Sequence, residues 1–332
     1  MEDDPGIHRG VCQLAPASYR VLDADEEVFI LYTTLAAKSN EFATNTTGFR
    51  GLGFLDSQKD ILTIPFELNK IAPKADGLLG RKAGKKAQRK GKLVEDKSFE
   101  VQLVQDKTAL RSRKGDTGSV LWRASVELAQ FLLEQHFSAK QDALLNSAML
   151  EDAHILELGA GTGLLAIALT RLVRHYTVTD MEELLPLIRK NLRLNLAGWD
   201  ASSSPRPHGT QTEIRHDVKA EALDWLTLQK CSPNTRRSAY SFEPIDLLLV
   251  VDCIYHPFLL PALVETIDYL STPERTAVLV VVELRAEDVI REFLELWLEA
   301  SGRGTWEVWH VNEIMDGPYA AWIGWKKQLQ PD

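Results

Sequence analysis

Ile155-Leu156-Glu157-Leu158-Gly159-Ala160-Gly161-Thr162-Gly163-Leu164 is the stretch on which the fold turns. A short apolar strand at Ile155 to Leu158 runs into three alternating glycines, and Leu164 to Val173 then carries apolar residues at helical spacing. In an open parallel sheet, the crevice beyond the strand C-termini takes the ligand, and glycines there let it come close to the backbone. The dinucleotide fingerprint G-x-G-x-x-G requires glycine at position 164, which is leucine here; the glycines stand at 159, 161 and 163 instead. Glu157, just ahead of them, would repel a pyrophosphate but suits a ligand carrying an amino group and a sulfonium.

Working outward, Tyr176 to Thr179 is the next strand, and Asp180 closes it at a position from which a carboxylate can take both hydroxyls of a ribose. Asp180 can equally cap the helix read from Met181 to Leu196. Strands follow at Thr212 to His216, Ile245 to Val251 and Ala277 to Val282, with helices at Leu259 to Leu270 and Ala286 to Ser301. A helix over Leu121 to Phe137 precedes the glycine loop, and two strands, Thr305 to Val311 and Tyr319 to Trp325, close the chain as a hairpin. Alternating strands and helices of this kind require a mostly parallel sheet covered on both faces. Ala201 to Pro207 and Cys231 to Ser241 read as loops.

Ahead of this α/β region, Glu27 to Leu35 and Asp60 to Leu68 are short, apolar and rich in β-branched or aromatic residues, and Phe99 to Val104 alternates at period two; all three read as strands. Residues 1–98 are accordingly a β-rich N-terminal extension and 99–332 the main domain. Within the extension, Lys70 to Lys97 holds ten basic residues against three acidic ones, which predicts a solvated, flexible basic linker. The chain as a whole carries a formal charge of −9, which argues against bulk nucleic-acid affinity. Its cysteines, Cys12, Cys231 and Cys253, form no C-x-x-C pair, so neither a disulfide framework nor a zinc ribbon is encoded. No H-x-x-x-H or carboxylate set at ligand spacing points to a metal. The apolar runs are too short to span a membrane, and the acidic start Met1-Glu2-Asp3-Asp4 is unlike a secretory leader. These features place the chain in the cytoplasm, with the nucleus as the second compartment.

The E-x-G-x-G-x-G pattern, with Asp180 after the next strand, resembles motif I of the seven-strand, Rossmann-like class I S-adenosylmethionine (SAM)-dependent methyltransferases. Three further segments narrow the likeness: Gly115 to Ser125, with Trp122 at its centre; Leu223-Asp224-Trp225; and Asp252-Cys253-Ile254-Tyr255 after the fourth strand. This set resembles methyltransferase family 16, a family of protein-lysine methyltransferases marked by an acidic residue, two others and a tyrosine after strand four. The long extension and basic insertion are most similar to its fungal ribosomal lysine N-methyltransferase 5 group, which modifies a large-subunit ribosomal protein. The resemblance implies SAM as cofactor, with Trp122 near it, Glu157, Gly159, Ala160 and Gly161 around its methionine end, Asp180 on the ribose, Trp225 beside the adenine, and Asp252-Cys253 closing the pocket. It makes Asp252 and Tyr255 the catalytic pair, Tyr255 as a wall of the lysine channel and Asp252 as a group orienting the amine.

The partner implied is a protein substrate, with nucleic acid met only through a ribosome. Other targets of the same chemistry are an elongation factor or a chaperone. A methyltransferase acting on a nucleic-acid base or small molecule is the rival enzyme, but base amino methyltransferases often carry N/D-P-P-Y/F where this chain has Asp252-Cys253-Ile254-Tyr255 without either proline. A catalytically inactive binding module is the non-enzyme rival, and the intact Glu157, Gly159, Gly161 and Asp180 speak against it.

Overall fold

The computed structural model describes residues 8–42, 53–56, 58–68, 98–106, 117–138, 142–196, 217–300, 304–312 and 314–328. The elements run β1 (His8–Arg9), β2 (Cys12–Gln13), β3 (Tyr19–Val21), α1 (Ala24–Phe42), β4 (Ile61–Glu67), β5 (Ser98–Val104), α2 (Arg123–Ser138) and α3 (Ser147–Leu150). After these come β6 (His154–Leu158), α4 (Leu164–Leu169), β7 (His175–Asp180), α5 (Leu185–Asn195), β8 (Asp217–Ala222), α6 (Trp225–Lys230), α7 (Pro233–Ala239) and β9 (Leu247–Val251). The last are α8 (Leu260–Leu270), β10 (Ala277–Glu283), α9 (Glu287–Glu299), β11 (Thr305–His310) and β12 (Tyr319–Lys327).

One eight-stranded sheet organises the chain, in the order β3-β11-β12-β10-β9-β6-β7-β8. The five strands from β10 to β8 pair parallel, and β12, β11 and β3 are antiparallel to their neighbours. Every residue of β6, β9 and β10 is buried, as expected for strands covered on both faces. The period-two alternation splits the core accordingly. Ile155, Leu247, Leu249 and Leu279 pack with α2, α4 and α5, whereas Leu156, Leu248, Val250 and Val278 pack with α1, α8 and α9. This is the Rossmann-like α/β architecture expected from the sequence, with the crevice at the switch point between β6 and β9.

The structure corrects two element readings. Glu27 to Leu35 is not a strand but the middle of α1. Asp23 caps this helix by accepting from the Glu26 amide at 2.9 Å, and Asp25, Glu26 and Glu27 sit in its first turn, where acidic side chains favour a helix. Ala24, Val28 and Leu31 then bury one helical stripe, so packing overrides the β propensity of the run. Cys231 to Ser241, read as a loop, contains α7, started by Ser232 as cap, accepting from the Thr235 amide, and Pro233 in the first turn. Two strands of the sheet were not read from the sequence: β3, which adds to its edge beside β11, and β8, which follows the stretch read as a strand at 212–216. The strand expected at 212–216, the basic stretch 70–97 and the loop at 201–207 lie outside the described residues. β4 pairs antiparallel with β5, Ile61 opposite Val104 and Glu67 opposite Ser98.

Candidate functional site

Four neighbouring strand ends on the parallel part of the sheet open onto one cleft. From β6 comes the glycine loop, in which Gly159, Gly161 and Gly163 all have positive φ, at 63°, 56° and 78°. A Cβ on Gly161 would lie 3.0 Å from the Gly118 carbonyl oxygen, and one on Gly159 would lie 2.8 Å from Cys253 Sγ and 3.2 Å from the Trp225 ring. The loop is glycine because other backbone and side chains close directly against it.

Asp180 ends β7 and accepts from the Gly161 amide at 2.7 Å and from the Met181 amide at 2.8 Å. It both ties the glycine loop to β7 and lines the cleft. Leu223, Asp224 and Trp225 follow β8, where Asp224 caps α6 by accepting from the Leu226 amide at 3.0 Å and so aims Trp225 into the cleft.

β9 delivers Asp252, Cys253 and Tyr255. Asp252 has φ of 57°, a conformation uncommon outside glycine but tolerated by Asp. Its side chain is 3% exposed, and its two oxygens accept from Arg285 Nη1 and Nη2, both at 2.7 Å, with a third bond from the Glu283 amide at 3.2 Å. Cys253 donates its thiol to the Leu158 carbonyl at 3.3 Å, and burial pushes its pKa well up, which keeps it a neutral packing group. Tyr255 lines the cleft while 39% exposed, a position at its mouth. His256 spends Nδ1 on the Phe258 amide at 3.2 Å, capping the turn that leads to Leu259.

The structure thus brings Trp122, Gly159, Ala160, Gly161, Asp180, Trp225, Asp252, Cys253 and Tyr255 to one cleft. Glu157 is not among its lining residues. It is buried behind the loop, where it accepts from the Tyr176 hydroxyl at 2.8 Å, and burial pushes its pKa up to about 8. Reading the sequence missed Arg285, which lines the cleft, and Gly118, whose backbone meets Gly161. An arginine two residues past the buried strand end Glu283 was the available signal for the first. Among the described residues no cluster of His, Cys, Asp and Glu could hold a metal ion, and no helix is long and apolar enough to cross a membrane.

A family model described as lysine methyltransferase matches residues 104–299. Bovine protein-lysine methyltransferase METTL21E is 33% identical over 172 residues, covering 51% of this chain and 49% of that one. Ribosomal lysine N-methyltransferase 5 of Candida glabrata is 25% identical over 319 residues, 82% of this chain and 88% of that one. A Schizosaccharomyces pombe protein named diaminohydroxyphosphoribosylamino-pyrimidine deaminase is 32% identical over 199 residues, 59% of this chain but 41% of that one. This sequence has no C-x-x-C, the pair that zinc-dependent nucleobase deaminases use to hold their metal. The chain spans about half the length of the curated relatives it matches first.

Proposed function

The chain belongs to the lysine methyltransferase family, and we propose that it transfers a methyl group from SAM to the ε-amino group of a lysine on a protein, a large-subunit ribosomal protein being the target class. The observation that carries this reading is the convergence of Gly159, Gly161, Asp180, Trp225, Asp252 and Tyr255 on one cleft at the sheet's switch point. The ribosomal target is favoured by the match to the Candida glabrata protein, which runs through most of both chains.

The cleft suits an extended nucleoside-bearing ligand. The bare backbone of Gly118 and Gly161 closes together at the wall of the cleft, Asp180 lines it with a carboxylate suited to ribose hydroxyls, and Trp225 offers a flat face for a base. When bound, SAM supplies an electrophilic methyl group on a cationic sulfur. Tyr255 walls the cleft mouth and excludes water from the approaching amine. A lysine amine, with an ordinary pKa near 10.4, must be neutral to attack. Asp252 is poorly suited to take its proton, because three donors already hold its carboxylate. The proton is lost to solvent before the amine enters, and desolvation beside a cation keeps the amine neutral. Positioning then supplies most of the acceleration, up to about 7–11 kcal/mol in favourable cases.

Incubation of the chain with radiolabelled SAM and with ribosomes or fractionated extract, followed by mass spectrometry, tests this reading. Label on a lysine of a large-subunit protein is expected. Label on RNA alone would refute lysine transfer, and label on a non-ribosomal protein would refute the target class.

A further inference from the structure

Arg285 stands where three parts of the chain meet at the wall of the cleft. It follows β10 and grips Asp252 with both arms of its guanidinium, while Nη2 also donates to Glu283 Oε2 at 3.0 Å. The side chains of Asp252 and Glu283 are 3% and 6% exposed, so two buried carboxylates share one cation. The guanidinium carbon lies 5.2 Å from the centre of the Trp122 ring, a cation–π contact with a residue lining the cleft.

A second layer closes over this cation from the N-terminal part of the chain. The Arg123 amide donates to the Gly53 carbonyl at 2.8 Å and the Leu55 amide to the Leu121 carbonyl at 2.9 Å, which pins residues 53–55 along the start of α2. Phe54 meets Trp122 edge-on, with ring centres 6.2 Å apart. Gly53 has φ of 98°, and a Cβ there would lie 2.3 Å from Arg285 Nη2 and 2.7 Å from Glu283 Oε2. Trp122 is therefore held on its face by Arg285, at its edge by Phe54, and through its Nε1–H by the Thr117 carbonyl at 2.7 Å.

We propose that Arg285 is a positioning residue for the cofactor cleft, fixing Trp122 and the Asp252 turn at once, and that residues 53–55 form the outer half of this clamp, with Gly53 kept side-chain-free by contact with Arg285. The proposal rests on the reading of the cleft as a SAM site. Lysine at 285 keeps the charge but not the two-armed fork, whereas glutamine removes the cation that the buried Asp252 and Glu283 carboxylates share.

The test is calorimetric titration of SAM and of S-adenosylhomocysteine into the full chain, with melting temperatures measured alongside. The proteins are the parent, Arg285→Lys, Arg285→Gln and Gly53→Ala. Arg285→Gln is expected to weaken SAM binding by about tenfold or more. Arg285→Lys should recover part of the loss, and Gly53→Ala should weaken binding in the same direction by a smaller factor. Parental affinity in Arg285→Gln, with only the melting temperature lowered, would overturn the proposal. If Arg285→Gln does not fold, parental affinity in both folded Arg285→Lys and folded Gly53→Ala overturns it instead, and weakened binding in either supports it. A parent chain that binds neither ligand refutes the cofactor reading itself, a result distinct from binding by the parent with indifferent variants.

Discussion

Replacing Glu157 by glutamine should uncouple the stability of the chain from pH over the neutral range. Glu157 is 2% exposed, and burial pushes its pKa from 4.5 to about 8, so the folded chain holds a proton there that the unfolded chain has lost. The sign follows from proton binding: this contribution is fully present below about pH 4.5, declines through the interval in which only the folded state is protonated, and is gone above about pH 8. Across that window the linkage amounts to about 5 kcal/mol, or about 1.4 kcal/mol per pH unit. Glutamine is neutral throughout and can still accept from the Tyr176 hydroxyl, which lies 2.8 Å from the present carboxyl oxygen. Urea unfolding of the parent and of Glu157→Gln at pH 5, 6, 7 and 8 should therefore show the variant gaining on the parent by about 1.4 kcal/mol per pH unit. SAM affinity should be retained, because Glu157 is not among the residues lining the cleft. Parallel stability profiles would refute the reasoning, and parallel profiles with SAM binding lost would reassign Glu157 to the ligand.

Gly161→Ala should lower SAM affinity in calorimetry and lower the melting temperature, because φ is 56° and the new Cβ would meet the Gly118 carbonyl oxygen at 3.0 Å. Tyr255→Ala should lower turnover on a lysine substrate with little change in SAM affinity or melting temperature; turnover at the parental rate would remove it from the acceptor channel. Glu27→Ala should cost about 3–5 kcal/mol in denaturant unfolding, since the buried carboxylate accepts from Tyr19 at 2.8 Å and Trp322 at 2.8 Å and pairs with His310 at 2.7 Å. Deleting residues 81–92 should reduce methylation of ribosomal substrate more at low salt than at high salt, where screening already weakens the pull of its charge on anionic partners. Equal rates with and without the tract at both salt levels would make it a spacer.

What could be read from the sequence followed from physical redundancy. β9 and β10 are apolar at every position but the last of β10 because both faces are covered, and the glycine loop is unambiguous because three residues without side chains stand between a strand and a helix. α1 was not legible, because Val28, Phe29, Ile30 and Tyr32 favour a strand locally and the helix is decided by the Asp23 cap and by packing on α9. α7 was missed because Ser-Pro reads as a turn, although the same pair starts a helix. Arg285 was out of reach for another reason: its partners Asp252 and Glu283 end adjacent strands, and only the pairing of Val251 with Val281 makes those ends neighbours. Side chains that meet across strand ends are invisible to periodicity, which reports one element at a time.

The outermost seam of the sheet has a consequence for synthesis. β3 pairs with β11, and the bond from His310 to Glu27 joins residues 283 positions apart. On a ribosome the N-terminal strand emerges early and waits for nearly the whole chain before its partner appears. Until then β3 and the amphipathic α1 have no docking site, and afterwards they cover a β11 edge that would otherwise present open backbone groups to other chains. Losing the first two dozen residues would thus spare the cleft but bare a sheet edge, and the product would fail first by self-association.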